Sequence, residues 1–338
     1  MKKILKKIIP VKIRIALRSV MTRYSLAIMM HQQANRFFRS YAREYSKKLP
    51  ILETRVMYFM HQIEKGLSHK DFRYGFGKQA LLNLSQSMSA LLAVEPYAYS
   101  KNETYRMALA ALNEYIQRHK AADYDLSDAK KCFSETIWRE AEQFDDSQGG
   151  SYIIDGADKQ GNGLKSFSQL ANERHAVREF SDQPVDIQEI QSAVDLARTA
   201  PSVCNRQPAR VHVTCDVAII KRALAVQGGL HGYPTPPALI LITADNQSFL
   251  CPEERNEGFV DGGLFSMQLL MSLEAAGLAA CPLNTMMNKE KEEATREIMQ
   301  VPDNEFLVMY IAVGHFPETI HLCRSSRCAV EKIMSVVR

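Results

Sequence analysis

Ala200-Pro201-Ser202-Val203-Cys204-Asn205-Arg206-Gln207-Pro208 sets hydroxyl and amide side chains between two prolines. Proline fixes φ and removes a backbone donor, so this is a stiff loop that stops the amphipathic run before it. Ser202, Asn205 and Gln207 offer donors and acceptors to a planar ligand with polar edges. A second group is Arg174-His175-Ala176-Val177-Arg178, in which two arginines four apart can meet on one face of a helical turn. Their planar forks suit a phosphate, which a single ammonium grips less specifically. A third is Gly277-Leu278-Ala279-Ala280-Cys281-Pro282-Leu283-Asn284-Thr285, where a long helix ends at a glycine and a short strand delivers Pro282–Thr285. A fourth is Gly314-His315-Phe316-Pro317, with Arg324 and Arg327 behind it.

Other chemistries lack their residues. There is no G-x-G-x-x-G after a strand, no G-x-x-x-x-G-K-[ST] and no H-E-x-x-H. The seven cysteines (132, 204, 215, 251, 281, 323 and 328) form no C-x-x-C and do not cluster with histidine, so no metal site is expected. An odd number of scattered cysteines, several in apolar runs, fits free thiols in a reducing cytosol. His175, His212, His231 and His315 are each isolated, and no catalytic acid or base is assigned.

The arginine pair, the proline-bounded loop and the C-terminal arginines together resemble the nitroreductase family of FMN-dependent oxidoreductases, over roughly residues 165–338. The resemblance implies that Arg174 grips the FMN phosphate, with His175, Ala176 and Arg178 beside it. A serine is common where Ala176 stands. It implies that Pro201, Ser202, Val203, Asn205 and Gln207 reach the flavin of a partner subunit, so that the protein is a homodimer. Pro282, Leu283, Asn284 and Thr285 would lie along the isoalloxazine edge, and Arg324 and Arg327 on the phosphate. NAD(P)H would be a transient electron donor and a small electron-poor organic molecule the substrate, in a ping-pong hydride transfer. A flavin-dependent dehydrogenase or oxidase, or a non-catalytic flavin-binding partner protein, is the alternative on the same scaffold.

These residues need elements to hold them. At 338 residues, with 46% hydrophobic and 24% charged residues, the chain has the make-up of a globular protein with a sizeable core. Apolar spacing of three and four predicts helices over 24–48, 51–65, 78–94, 102–119 and 126–143, the last opened near Ser127-Asp128. Between the second and third, Glu64, Lys65 and Arg73 sit in a polar, glycine-bearing stretch that could touch substrate. Residues 144–164 are rich in Gly, Asp, Gln and Ser and read as a linker. The expected organisation is therefore a mostly α-helical region over 1–160 and an FMN-binding domain over 161–338. In the latter, helices 166–173, 187–200, 256–276 and 289–299 alternate with strands 210–215, 238–243, 279–283 and 306–313. The fold class is α+β, a small sheet flanked by helices. Gly262 and Gly263 in the long helix would let it approach its counterpart across a two-fold axis.

The formal net charge of +4 is unevenly spread. Residues 1–43 hold eleven Lys or Arg and no Asp or Glu, which leaves −7 on the remainder. Ile4, Leu5, Ile8 and Ile9 oppose four lysines in MKKILKKIIP, and Pro10 ends that turn. No stretch is long enough to span a membrane. Weak contact of residues 1–23 with an anionic membrane surface is expected, with a cytoplasmic location at the inner membrane face. No nucleic-acid-binding module is visible.

Overall fold

The computed structural model describes residues 10–337, so the expected turn before Pro10 lies outside the described residues. The chain divides into two compact units. The first comprises Met1–Tyr41, Asn162–Arg174 and Asp182–His315; the second comprises Ala42–Gly161, His175–Ser181 and Phe316–Arg338.

The first unit is built on an antiparallel four-stranded sheet, ordered β2 (Ala209–Thr214), β3 (Ala238–Asp245), β5 (Glu305–His315), β4 (Leu278–Asn284). The central strand β3 reads Ala-Leu-Ile-Leu-Ile-Thr-Ala-Asp and is buried through Ala244, so an unbroken apolar run here means a strand covered on both faces. Its helices are α1 (Val11–Ser40), α7 (Phe167–Glu173), α8 (Ile187–Ala197), α9 (Val217–Gln227), α10 (Glu257–Ala275) and α11 (Lys289–Met299). Starts are chemically marked. Ser166 and Asp186 each make a reciprocal capping box, with Gln169 and Glu189, and Asp216 caps α9. Gly228, at φ 80°, stops α9 in the left-handed region.

The second unit is a helical core of α2 (Leu49–Leu67), α3 (Lys78–Val94), α4 (Glu103–Lys120), α5 (Ser127–Cys132) and α6 (Glu135–Glu142). Met88, Leu84, Leu112, Ile116 and Tyr115 are fully or almost fully buried at its centre. Asn102 caps α4 by accepting from Tyr105 N–H, and Arg118, His119 and Lys120 complement its C-terminal dipole. His119 donates from Nδ1 to Tyr115 O and accepts the Gly75 N–H at Nε2, while burial pushes its pKa down and keeps it neutral.

Four expectations change. The first helix starts at Val11, directly after Pro10, rather than at 24. The helix expected over 126–143 is two, because Phe133 is extended (φ −107°, ψ 153°) and Ser134 caps a new start at Ile137 N–H. The expected linker contains β1 (Ser151–Asp155), paired antiparallel with β6 (Thr319–Cys323), with Tyr152 opposite Leu322. Gly262, finally, faces its own sheet. A Cβ there would sit 2.7 Å from Val308 Cγ2 on β5, whereas one at Gly263 would meet nothing within 4 Å.

The two glycines should therefore respond oppositely to alanine. Gly262→Ala forces Val308 or the helix to shift and is expected to cost about 1–3 kcal/mol. Gly263→Ala gains helix propensity at an open position, about 1 kcal/mol in its favour. Chemical denaturation of the two variants checks this, and equal stabilities would contradict the packing.

Candidate functional site

The proline-bounded loop follows α8 in the first unit. It is backbone-strained: Cys204, Asn205 and Gln207 have φ of 48°, 55° and 51°. Non-glycine residues in this region cost about 1–3 kcal/mol each unless their surroundings over-determine them. Here the surroundings do so. Ser202 Oγ accepts the Gln207 N–H at 2.9 Å, and Gln207 Nε2 donates to Asn205 Oδ1 at 3.1 Å. The Val203 N–H donates to both carboxylate oxygens of Asp261, at 3.1 and 3.2 Å, from a buried position on α10. Arg206 forks onto Glu254 at 2.8 and 3.0 Å and donates to Ser248 O. The guanidinium holds the Glu254 carboxyl down to about 2, so the clasp stays ionised. Beside this loop lies a cavity of about 200 Å³, walled by Pro201, Ser202, Gln207, Asp261 and Phe265. Asp261 is thus a support of the loop that sequence reasoning missed; an acidic side chain within the apolar run Phe259–Phe265 is the signal.

The strand end at 282–285, also in the first unit, is internally satisfied. Asn284 Oδ1 accepts the Met286 N–H, Asn284 O accepts from Gln227 Nε2, and Thr285 Oγ1 donates to Val308 O at 2.9 Å. Pro282 and Leu283 belong to the ladder with β5, opposite Ile311 and Tyr310.

The arginine motif departs from its expected shape. Arg174 closes α7 with an extended backbone (φ −70°, ψ 123°), and Ala176–Arg178 are not helical. Residues four apart on an extended chain are separated by about 13 Å, so the two heads do not share a helical face. Arg174 belongs to the first unit and His175–Arg178 to the second.

What the second unit does assemble is His175 and Arg324 at Tyr152, with Arg178 at Cys323. The β1–β6 pairing brings them round Tyr152 and Cys323. Tyr152 OH and His175 Nε2 are 2.6 Å apart, and the Arg324 guanidinium lies 4.8 Å from the Tyr152 ring centroid. Arg324 N–H donates to Gly150 O, while its Nε is buried and has no hydrogen-bond partner among the described residues. Burial raises the Tyr152 pKa and Arg324 opposes that rise, so the phenol stays protonated as a donor. Arg178 NH1 donates to Cys323 Sγ at 3.1 Å and to Ala176 O at 3.4 Å. Arg327 is exposed and donates to Ser325 O. Glu64, considered above for substrate, is fully buried and belongs to the support of Arg178 through His61. Tyr152 escaped notice because its segment reads as linker.

A phosphomonoester dianion fits this second group. A buried guanidinium nitrogen without a partner carries an unmet need for an acceptor, and phosphate oxygens meet it. The Tyr152 hydroxyl and His175 Nε2 are bonded to each other beside the guanidinium, which fixes the ring under it.

The model of the family described as Nitroreductase matches residues 171–230 and 228–315. The chain is similar to an FMN reductase (NAD(P)H) of Bacillus subtilis strain 168, at 22% identity over 158 residues, spanning 42% of this chain and 63% of that protein. Among solved structures it is similar to a nitroreductase family protein from Clostridium difficile 630, at 21% identity and a TM-score of 0.42, covering 51% of this chain and 98% of that one. An FMN-dependent nitroreductase from Clostridium difficile R20291 is similar at 18% identity and a TM-score of 0.39, with 44% and 87% covered. The similarity to the nitroreductase family thus lies in residues 171–315.

Proposed function

We propose that this protein is an FMN-dependent oxidoreductase in which NAD(P)H is the electron donor and an electron-poor organic molecule the acceptor. The observation that carries the reading is the buried Arg324 Nε, which has no hydrogen-bond partner among the described residues and lies over Tyr152, in a chain whose residues 171–315 match the Nitroreductase family model. Bound FMN supplies the two-electron hydride chemistry. Arg324 and His175 hold its phosphate, and Arg178 keeps the strand segment before it in place through Cys323. Within the first unit, the Ser202–Gln207 loop is a rigid polar edge of its own, its strain absorbed by Asp261 and Glu254. Nothing in this arrangement requires a dedicated acid–base pair, because a positioned flavin does the redox work.

The reading includes a second copy of the chain. The outward face of α10 carries Phe259, Val260, Leu264 and Met267, all about half exposed, around the open Gly263. An apolar stripe on a helix otherwise packed to its own sheet suits a two-fold contact. The test is direct. Purified protein should show a flavin absorption spectrum, release FMN on denaturation and bleach with NADH or NADPH. A colourless protein that takes up no added FMN overturns the reading.

A further inference from the structure

We propose that α1 is an in-plane anchor for anionic lipid membranes. The helix runs 30 residues, Val11–Ser40, and none of them is buried. At 3.6 residues per turn, Ile13, Leu17, Val20, Tyr24 and Ile28 fall on one strip, together with Ala16 and Ala27. That strip faces outward: Leu17 is 51% exposed, Val20 65% and Tyr24 70%. Lys12 and Arg23 border it on one side and Arg39 on the other, while Arg18 and Arg36 lie further round, toward the edge that carries Met29.

The opposite edge is the one attached to the first unit. Gln33 Oε1 accepts from Asn256 Nδ2 at 3.0 Å and from Arg255 Nε at 3.2 Å, and Met29 Sδ lies 3.6 Å from Arg255 NH1. The helix is thus held by a polar edge with its apolar strip turned away from the protein. A helix this long normally draws its stability from burying such a strip.

Charge identifies the occupant. Residues 11–40 carry six cations and no anion, and Lys12, Arg23 and Arg39 stand on the two margins of the apolar strip. Long basic side chains flanking an apolar face reach phosphate headgroups while the face enters the acyl boundary. Tyr24, Phe37 and Phe38, all exposed, are side chains that favour the interface. No described helix is long and apolar enough to cross a membrane, so α1 would lie along the surface. A second copy of this helix is a poor occupant, since it would set six more cations against these six.

Sedimentation of the full-length protein with vesicles tests this. Vesicles of phosphatidylcholine with phosphatidylglycerol should bind it, binding should weaken with salt, and pure phosphatidylcholine vesicles should not bind. Arg18→Gln, Arg23→Gln and Arg36→Gln together should lower vesicle affinity about a hundredfold, roughly fivefold for each charge. Leu17→Ser, Val20→Ser and Tyr24→Ser together should abolish it while the thermal melt stays unchanged, since none of the three is buried. Three outcomes overturn the proposal: no binding to phosphatidylglycerol vesicles at low salt, equal binding to phosphatidylcholine, or undiminished binding by either triple variant. A serine triple variant that binds vesicles normally but turns a dimer into a monomer in light scattering assigns the strip to a second copy instead.

Discussion

Arg324→Leu should lower FMN affinity some hundreds-fold while the protein stays folded. A guanidinium on a phosphate makes charge-assisted hydrogen bonds of about 1.5–3 kcal/mol each, so losing two removes at least about 3 kcal/mol. Little structural stability goes with them. The Arg324 Nε has no hydrogen-bond partner among the described residues, and the bond to Gly150 O comes from the backbone N–H, which leucine retains. Only the contact with the Tyr152 ring is lost, worth about 0.5–1 kcal/mol at a partly exposed position. Arg327→Leu should do less, because that side chain is exposed and already turned onto Ser325 O. Fluorescence titration of flavin-stripped protein with FMN, beside thermal melts, separates the effects. Equal affinities of wild type and Arg324→Leu would remove Arg324 from the phosphate.

The resemblance put Arg324 and Arg327 on the phosphate without ranking them. What separates them is β1. Residues 151–155 are embedded among Gly, Asp and Gln, and a five-residue strand that pairs with a segment far away in sequence has no local signature. Without β1 there is no partner for β6, and without that pairing Arg324, Tyr152 and His175 have no reason to meet. The split at Phe133 is a different failure. Apolar spacing continues through it, and Ser134 three before Ile137 is the signal of a fresh start. Helix α9 likewise sits between a capping Asp216 and a terminating Gly228, both legible, within a stretch to which the apolar pattern assigned nothing.

Elsewhere the local code sufficed. Strands β2 to β5 and helices α7, α8, α10 and α11 form within a few residues of where hydrophobic runs and caps place them, because each has a continuous apolar signal of its own. The Ser202–Gln207 loop was legible as rigid from its two prolines. Its left-handed residues and their clasp to Asp261 and Glu254 were not, since those partners arrive through the fold. Gly262 shows the same limit: the glycine is visible in sequence, and what it approaches is not.

Glu64→Ala is the second large effect, and it should appear in stability. Its carboxylate is fully buried on α2, where Oε1 accepts the Gly150 N–H at 3.2 Å and Oε2 pairs with His61 Nδ1 at 3.0 Å. The other nitrogen of that ring, Nε2, faces Arg178 NH2 at 3.4 Å. The His61 ring thus stands between the Glu64 carboxylate and the Arg178 guanidinium. Cys323 completes the surroundings as an uncharged thiol, its pKa pushed up by burial even though Arg178 pulls it down. Deleting the carboxylate strands the Gly150 donor and removes the counter-charge from Arg178. Breaking a buried pair from one side costs about 3–5 kcal/mol, which lowers the melting of a unit this size by about 10 °C. Glu64→Gln keeps an acceptor for Gly150 and should lose less. The discriminating variant pairs Glu64→Leu with Arg178→Met. If the cost arises from an orphaned charge, the double variant melts above Glu64→Ala, because no charge is left behind. If the two losses simply add, Glu64 acts through its hydrogen bond to Gly150 alone, and Arg178 is held in place by Cys323 rather than by the carboxylate.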